Sequence, residues 1–260
     1  MMEPLYIVKV GGNIIDDAEK LSAFLAAFSS IQGKKILVHG GGKLATKMAS
    51  SLSIPQQMID GRRVTDAETL KIVTMVYAGW INKNIVAKLN AMGFVSMGIS
   101  GADAQTILAH KRKHADIDYG FVGDIDKVHT EAMMALLSKG ISMVVAPITQ
   151  DSSGQLLNTN ADTIAQELAK AMSVHFSTSL VYSFEKKGVL RDVNDEDSVV
   201  AQMNASMFKQ MKEDQTIFAG MIPKLDNAFA AIEAGVSKVI IGDALELANL
   251  IEGKSGTTIS

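Results

Sequence analysis

Two strand–glycine–helix units follow one another at the start of the chain, and this repeat limits the accessible folds more than any other feature. The apolar run Leu5–Val10 ends at Gly11-Gly12, and the run Lys35–His39 ends at Gly40-Gly41-Gly42. Each glycine turn precedes a segment with apolar residues at helical spacing. Consecutive units of this kind predict parallel strands with helices packed on the faces of their sheet.

The alternation of helices and strands continues to the end of the chain. Thr65-Asp66-Ala67-Glu68 fits a capping box and predicts a helix that runs to about Met92, while the apolar run Ile141–Ile148 predicts a strand buried on both faces. A second alternation begins after Ser173 with a strand at Thr178–Phe184. We therefore predict an α/β fold, a three-layer αβα sandwich with a mostly parallel central sheet and two lobes, residues 1–175 and 176–260.

A polar segment, Lys111–Val128, lies between two of the predicted strands. Gly120 and Gly123 flank short β-like pieces within it, which favours a hairpin that forms a lid or rim. Its charged residues from Lys111 to Asp116 are expected to form a solvated surface.

Composition and charge exclude several classes of protein. The 260 residues include 25 Lys+Arg and 28 Asp+Glu, and the net charge of -3 does not fit sequence-independent binding of nucleic acid. The absence of cysteine excludes disulfides and thiolate metal sites. Because the sequence has no apolar run of about 18 residues and no leader pattern, we expect a cytoplasmic protein with no membrane partner.

Two glycine motifs suggest other nucleotide-binding folds. Gly40 to Ala45 satisfies the G-x-G-x-x-A pattern, with Asp60 placed as a ribose-binding carboxylate would be, so a nicotinamide-dependent enzyme is an alternative. That fingerprint belongs to the first strand–helix unit of such folds, whereas here another glycine turn precedes it. Gly253-Lys254-Ser255 resembles the end of a P-loop, but Ala248 stands where the leading glycine is required. The histidines form no His-x-x-x-His pair, and we predict no metal site built from protein side chains.

Lys9 is a cation at the end of an otherwise apolar strand. A solvated strand end is one interpretation. The other rests on the two glycine turns, because both lie at the carboxyl ends of predicted parallel strands and both lead into helix N-termini, whose free N–H groups attract anions. In that interpretation Lys9 points at a bound anion.

Five short motifs occur in order along the chain. They are Lys9-Val10-Gly11-Gly12, Val38-His39-Gly40-Gly41-Gly42, Gly61-Arg62-Arg63-Val64-Thr65, Asn158-Thr159-Asn160-Ala161-Asp162 and Gly220-Met221-Ile222-Pro223-Lys224. Together they resemble the amino-acid kinase superfamily, and within it the acetylglutamate kinase family. Order and spacing match as far as the terminal Gly256-Thr257-Thr258-Ile259, so the resemblance covers essentially the whole chain.

The resemblance implies a role for each matching residue. Lys9 and Lys224 match lysines that stabilise the transition state, and Asp162 matches the carboxylate that holds those lysines in place. Gly11 and Gly12 match the turn that donates backbone N–H bonds to the transferring phosphoryl group, so these glycines and the two lysines would also contact the nucleotide. The positions that match acceptor-binding residues are Gly41, Gly42, Arg63 and Asn158.

The implied reaction is phosphorylation of the side-chain carboxylate of N-acetyl-L-glutamate by ATP, a step of arginine biosynthesis. Residues 1–175 would bind the acceptor and residues 176–260 would bind ATP. The carboxylate, whose unperturbed pKa is ~4.3, is already ionised at neutral pH, so no general base is required. Repulsion between anions is the obstacle, which two lysines, glycine N–H groups and Mg²⁺ offset. N-succinyl-L-glutamate is an alternative acceptor, and a catalytically silent amino-acid-binding sensor is an alternative of another class.

The chain also departs from the family pattern. Many relatives have Thr-Asp or Ser-Asp after the first strand of the ATP lobe, whereas this chain reads Phe184-Glu185, with Glu185 a substitute for that aspartate. Ala219 stands where a second glycine is common. Arginine-inhibited members carry an additional helix before the first strand, which Leu5 already begins here, so we expect a homodimer without arginine inhibition.

Overall fold

The computed structural model describes residues 2–59, 62–192, 194–214, 216–217 and 221–260. Asp60 and Ala219, which the sequence motifs singled out, lie outside the described residues. Within the described ranges, the chain contains no helix whose length and apolar character would let it span a bilayer.

The chain folds into fourteen strands and ten α-helices over the described ranges. The strands are β1 (Pro4–Val10), β2 (Lys34–His39), β3 (Met58–Ile59), β4 (Arg62–Arg63), β5 (Ser96–Ile99), β6 (Ile107–Lys111), β7 (Gly123–Val128), β8 (Ser142–Val145), β9 (Ile148–Gln150), β10 (Leu156–Asn158), β11 (Ser177–Phe184), β12 (Gln202–Met203), β13 (Lys238–Asp243) and β14 (Thr257–Ile259). The helices are α1 (Gly12–Ile15), α2 (Ala18–Ser30), α3 (Gly42–Ser51), α4 (Ala67–Thr74), α5 (Asn82–Ala91), α6 (Glu131–Ser138), α7 (Ala161–Met172), α8 (Ala205–Glu213), α9 (Ile222–Glu233) and α10 (Leu247–Ile251). A π-helix, Met75–Ile81, joins α4 to α5.

One eight-stranded sheet runs through the molecule in the order β12-β14-β13-β11-β1-β2-β8-β5. All neighbouring strands in it are parallel except β13 and β14, as the repeated strand–helix units predicted. The sheet crosses the predicted lobe boundary, because β1 pairs with β11 on one side and β2 on the other. A smaller sheet, β10-β9-β6-β7, contains the predicted hairpin.

Side chains alternate between the two faces of the central sheet and build a core on each. Leu5 and Ile7 lie in the cluster that packs against α7 and α9, whereas Val8 and Val10 lie in the cluster that packs against α2 and the π-helix. This two-faced burial gives the predicted αβα sandwich. The side chain of Lys9 falls on the same face as Ile7 and so projects toward α7.

The region of the predicted capping box differs from the expectation in two ways. Asp66, rather than Thr65, caps α4 by accepting a hydrogen bond from the Thr69 amide. Thr65 is fully buried, forms a bridge to Gly120, and uses its hydroxyl to bond the Arg63 carbonyl. The predicted helix continues to Ala91, but its middle is wound as a π-helix, which helical spacing of apolar residues does not distinguish from α.

Candidate functional site

The two glycine turns lie side by side because β1 and β2 are adjacent and parallel, with Val10 opposite His39. Gly11 precedes α1, and Gly40 and Gly41 precede α3. Gly41 has a φ of 149°, and a Cβ there would lie 2.3 Å from Ile81 Cδ1, so only glycine fits this turn without rearrangement. Within the described part of the chain, the Gly41 and Gly42 amides donate no hydrogen bond to another protein group. These N–H groups are therefore available to a ligand.

Lys9 and Asp162 form an ion pair next to the first glycine turn. Lys9 Nζ lies 2.8 Å from Asp162 Oδ1, and the side chains are 17% and 33% exposed. Asp162 lies in the first turn of α7, which Asn160 caps by accepting hydrogen bonds from the amides of Asp162 and Thr163. The pair forms because the β1 face that carries Lys9 packs on the N-terminus of α7. Lys9 is thus a fixed cation at the carboxyl edge of the sheet rather than a solvated strand end.

A cavity of about 260 Å³, hereafter the main cavity, opens at this edge of the sheet. Most of the predicted site residues line it: Lys9, Gly12, Gly41, Gly42, Arg63, Asn158 and Asp162. Gly11 lies in an adjoining cavity of about 380 Å³, which Phe184 and Glu185 also line and which shares Gly12 and Gly42 with the main cavity. Seven of the nine predicted residues therefore meet in one cavity, although they come from distant parts of the sequence.

Arg63 is a buried cation whose hydrogen bonds go to neutral groups. Its side chain is buried, with the residue 8% exposed, and Nη2 donates to Gly42 O at 2.9 Å and to Thr46 Oγ1 at 2.8 Å. Nη1 donates to Gln56 Oε1. Among the described residues no carboxylate pairs with Arg63. Its charge is therefore available to an anionic ligand in the main cavity.

Two further predicted site residues, Asn158 and Lys224, lie in different surroundings. Asn158, at the end of β10, donates from Nδ2 to Thr65 Oγ1 at 3.0 Å. Lys224, in the first turn of α9, does not line the main cavity; its Nζ lies 4.7 Å from the centroid of the Phe184 ring. Asp162 pairs with Lys9 and forms no ion pair with Lys224 among the described residues. That Asp162 holds both lysines stays a prediction.

The hairpin contributes Arg112, which the sequence analysis assigned to a solvated surface, and Asp124, which it did not single out. Arg112 donates to both carboxylate oxygens of Asp124, with Nε at 3.0 and 3.1 Å, and both residues line the main cavity. The Arg112 guanidinium holds the pKa of the Asp124 carboxyl below its usual value, chiefly through these hydrogen bonds. Arg112 is only 18% exposed because β6 pairs with β7 and lays the hairpin against the cavity. Arg62, in β4, is exposed and also lines the main cavity.

The carboxylates of the main cavity do not form a metal site by themselves. Asp162 is paired with Lys9 and Asp124 with Arg112. Within the described ranges, no group of three or more His, Asp or Glu side chains is arranged to hold a metal ion.

Comparison with known proteins identifies the family. The sequence pattern of the family described as "Amino acid kinase family" matches residues 4–243 of the chain. The chain belongs to the amino acid kinase family. An acetylglutamate kinase of Cytophaga hutchinsonii is 57% identical over 251 residues, which are 96% of this chain and 95% of that protein. An acetylglutamate kinase of Phocaeicola vulgatus is 53% identical over 259 residues, 100% of this chain and 99% of that protein.

A solved structure from Streptococcus mutans has the same fold, with a TM-score of 0.78, 25% identity and coverage of 98% of each chain. Because the chain belongs to the amino acid kinase family, its glycine-rich turn after β2 does not require a nicotinamide cofactor as its explanation. Gly253-Lys254-Ser255 joins α10 to β14 and so lacks the strand-before, helix-after order of a P-loop.

Proposed function

We propose that this protein phosphorylates the side-chain carboxylate of N-acetyl-L-glutamate with ATP and forms an acyl phosphate in arginine biosynthesis. The observation that carries the proposal is the meeting of the fixed Lys9–Asp162 pair, the free glycine N–H groups and the unpaired Arg63 in one cavity. The two acetylglutamate kinases that are 57% and 53% identical over almost the whole chain support the assignment of the substrate.

Arg63, Gly41, Gly42 and Asn158 would bind the acceptor. Three N–H groups of the Arg63 guanidinium already bond Gly42 O, Thr46 Oγ1 and Gln56 Oε1, and the remaining ones would form charge-assisted hydrogen bonds with a carboxylate of the acceptor. The Gly41 and Gly42 amides would bind further oxygens of the acceptor or of the transferring group. These contacts would hold the side-chain carboxylate in line with the γ-phosphorus.

In the reaction, a carboxylate oxygen of the acceptor forms a bond to the γ-phosphorus while the bond from that phosphorus to the bridging oxygen of ADP breaks. The carboxylate attacks as the anion and no proton is transferred. Lys9 would meet the equatorial oxygens of the phosphoryl group, together with the Gly11 and Gly12 amides. Lys224 would neutralise charge on the leaving phosphate, and Mg²⁺ bound to the phosphates would supply further positive charge.

Residues 1–175 would then form the acceptor lobe and residues 176–260 the ATP lobe. The cavity shared by Gly11, Gly12, Phe184 and Glu185 supports this division, because it joins the first glycine turn to the end of β11. The Asn13 amide donates to Glu185 across the same junction. Glu185 would take the place of the aspartate that contacts the nucleotide in relatives.

N-Succinyl-L-glutamate is a second candidate acceptor, which the cations at the cavity rim favour. A succinyl group adds one carboxylate, whose desolvation is costly unless a cation meets it. Arg112 and Arg62 both line the main cavity, but Asp124 already pairs with Arg112. Arg62 is thus the residue best suited to a third carboxylate, and acetyl remains the main proposal because the relatives are named acetylglutamate kinase.

A coupled assay of ADP release with MgATP and each acyl-glutamate tests the proposal. We expect turnover with N-acetyl-L-glutamate and a slower rate with N-succinyl-L-glutamate. A higher kcat/KM for the succinyl acceptor that falls to the acetyl level in Arg62→Ala would favour the second candidate. Binding of amino acids without turnover would instead indicate a silent sensor. A thermal-shift comparison of MgATP with NADH separates both outcomes from a nicotinamide-dependent enzyme, since a ligand of the native state raises its melting temperature.

We also propose a cytoplasmic homodimer. Among the described residues, large apolar side chains are exposed on the π-helix, at the end of α5 and at the edge strand β5: Met75 (58% exposed), Trp80 (68%), Met92 (41%), Val95 (59%) and Met97 (43%). Exposed apolar side chains on a strand at the edge of the sheet would suit contact with a second copy of the chain. Light scattering is expected to show that the wild type is a dimer and that Trp80→Glu is a monomer. A wild-type monomer or hexamer would contradict the proposal.

A further inference from the structure

We propose that Asn82 is a positioning residue that fixes the tautomer of His39 and, through it, the orientation of the Gly40–Gly41 peptide at the acceptor site. The inference rests on the proposed function and adds to it a pair of buried residues that do not touch the acceptor. Neither residue lines the main cavity.

His39 is completely buried at the end of β2 and bonds the glycine turn that follows it. Its Nδ1 lies 2.8 Å from the carbonyl oxygen of Gly40. A carbonyl oxygen accepts hydrogen bonds and never donates them, so Nδ1 must carry a proton. Burial, with the nearby charge of Lys83, lowers the pKa of His39 to about 4, so the ring is neutral at physiological pH. Nε2 is therefore an acceptor.

Asn82 supplies the donor that Nε2 requires. Its Nδ2 lies 3.3 Å from His39 Nε2 and 2.9 Å from the carbonyl oxygen of Val144, so each amide hydrogen has an acceptor. Asn82 Oδ1 accepts from Lys83 Nζ at 3.1 Å. The reversed amide would place an oxygen against Val144 O and two hydrogens against the lysine ammonium. The network consequently has one consistent arrangement, and in it Nε2 stays unprotonated.

The packing around Asn82 shows that its position is built into the fold. Asn82 is 1% exposed and begins α5 directly after the π-helix. A Cβ at Gly98 would lie 1.8 Å from Asn82 Oδ1, so β5 has a glycine where the amide passes. The wider π-turn also brings Tyr77 and Ile81 against Gly41, at 3.1 and 2.3 Å from the position of a Cβ. π-Helical segments within α-helices frequently occur at functional sites.

The consequence for the site follows from the planarity of the peptide group. The carbonyl of Gly40 and the N–H of Gly41 belong to one trans peptide and point in opposite directions. When the His39 Nδ1–H group holds the Gly40 oxygen, the Gly41 N–H faces the other way, and within the described ranges it donates to no protein group. If His39 adopted the other tautomer, two lone pairs would face each other at Gly40 and the peptide would lose its anchor.

The tautomer is measured directly in wild-type protein with ¹⁵N-labelled histidine. The His39 signals are assigned by their absence from the spectrum of His39→Asn. We expect His39 to show a protonated Nδ1 and an unprotonated Nε2, and not to titrate between about pH 5.5 and 8. A protonated Nε2 in the wild type overturns the proposal. This measurement needs neither substrate nor activity, so it stands even if no acyl-glutamate is turned over and the proposed function fails.

Kinetics test the link to the acceptor. Asn82→Leu keeps the shape of the side chain without its hydrogen bonds and is expected to raise the acceptor KM about 10-fold, the effect of one lost hydrogen bond, with the MgATP KM unchanged within about 2-fold. Asn90→Leu is the matched control, because Asn90 on the same helix bonds Ser96 in β5 away from the cavity. An unchanged acceptor KM in a folded Asn82→Leu protein overturns the proposal.

A second pair of variants keeps the test decisive if Asn82→Leu does not fold. The amide nitrogen of Asn occupies the place of a histidine Nδ1, whereas that of Gln reaches the place of Nε2. His39→Asn should therefore retain the bond to Gly40 and an acceptor KM within about 3-fold of the wild type, while His39→Gln should raise the acceptor KM about 10-fold. Equal acceptor KM values for the two variants would contradict the proposed role.

Discussion

The ammonium of Lys224 lies 4.7 Å from the centroid of the Phe184 ring, so an aromatic face at the end of β11 holds the first-turn lysine of α9. The attraction between a cation and an aromatic ring is about 0.5–1 kcal/mol at exposed sites. It limits the conformations of a four-carbon side chain that would otherwise be free. Lys224 is thereby kept next to the cavity that Gly11, Gly12 and Glu185 line.

Substitutions at these two positions should therefore differ in size. Lys224→Ala removes a charge used in the transition state and is expected to lower kcat by ~100-fold or more, with little change in the acceptor KM. Phe184→Leu is expected to lower kcat by only about 3-fold, and Phe184→Tyr should retain the wild-type rate because the ring remains. Steady-state kinetics with both substrates check this; an acceptor KM effect without loss of kcat in Lys224→Ala would contradict the role of Lys224.

Arg63 should act on acceptor binding. Arg63→Lys keeps a positive charge but loses the planar fork, so we expect the acceptor KM to rise about 10-fold and kcat to change less. Arg191→Lys, an exposed position outside both cavities, is the control. If the acceptor KM of Arg63→Lys stays at the wild-type value, Arg63 is not the residue that binds the carboxylate.

Asp162→Asn should separate the ion pair from the cap of α7. The variant keeps the shape of the side chain, and its backbone amide still donates to Asn160 Oδ1. Lys9, however, loses the carboxylate that lies 2.8 Å from its Nζ. We expect kcat to fall by ~10-fold to 100-fold, since Lys9 is no longer held at the phosphoryl path, and the melting temperature to change little. A wild-type kcat in a folded Asp162→Asn protein would show that Lys9 needs no partner.

His39 should make stability depend on pH below neutrality. Burial lowers its pKa from 6.5 to about 4 in the folded protein, so the unfolded chain takes up a proton at higher pH than the native state does. The contribution is fully present above about pH 6.5 and is lost progressively as the pH falls to about 4, by ~3 kcal/mol in total. Urea unfolding from pH 7 to 4 should show this loss reduced in His39→Asn. Equal pH dependence in both proteins would contradict the assignment.

Gly41→Ala should destabilise the protein through backbone strain and overlap. The added Cβ would lie 2.3 Å from Ile81 Cδ1, and φ is 149°. We expect the free energy of unfolding to fall by about 3 kcal/mol, with a further loss of acceptor binding. Gly79→Ala is the matched control in the adjacent π-helix, because a Cβ there meets no atom within 4 Å. Denaturant unfolding of the two variants checks the prediction, and equal stabilities would contradict it.

The sequence predicted the architecture, and seven of the nine residues that it singled out line the main cavity. Apolar runs that end in glycine turns require a strand, a tight turn and a helix in succession, and such units pack as a parallel sheet covered on both faces. Since the carboxyl ends of these strands share one edge, the position of Lys9 and the glycines at that edge followed from local pattern. The remaining acceptor residues came from the resemblance, which supplied contacts that no local pattern contains.

Only the tertiary structure decided which side chains face one another. Arg112 reads as a solvated charge in its own segment, and it lines the cavity because β6 pairs with β7, which brings Asp124 opposite His110 and within reach of the Arg112 guanidinium. Asp162 pairs with Lys9 rather than with Lys224, because α7 packs on the β1 face from which Lys9 projects. The bond from Asn82 to His39 joins residues 43 positions apart in sequence. Such contacts depend on packing between elements, which periodicity along one segment does not encode.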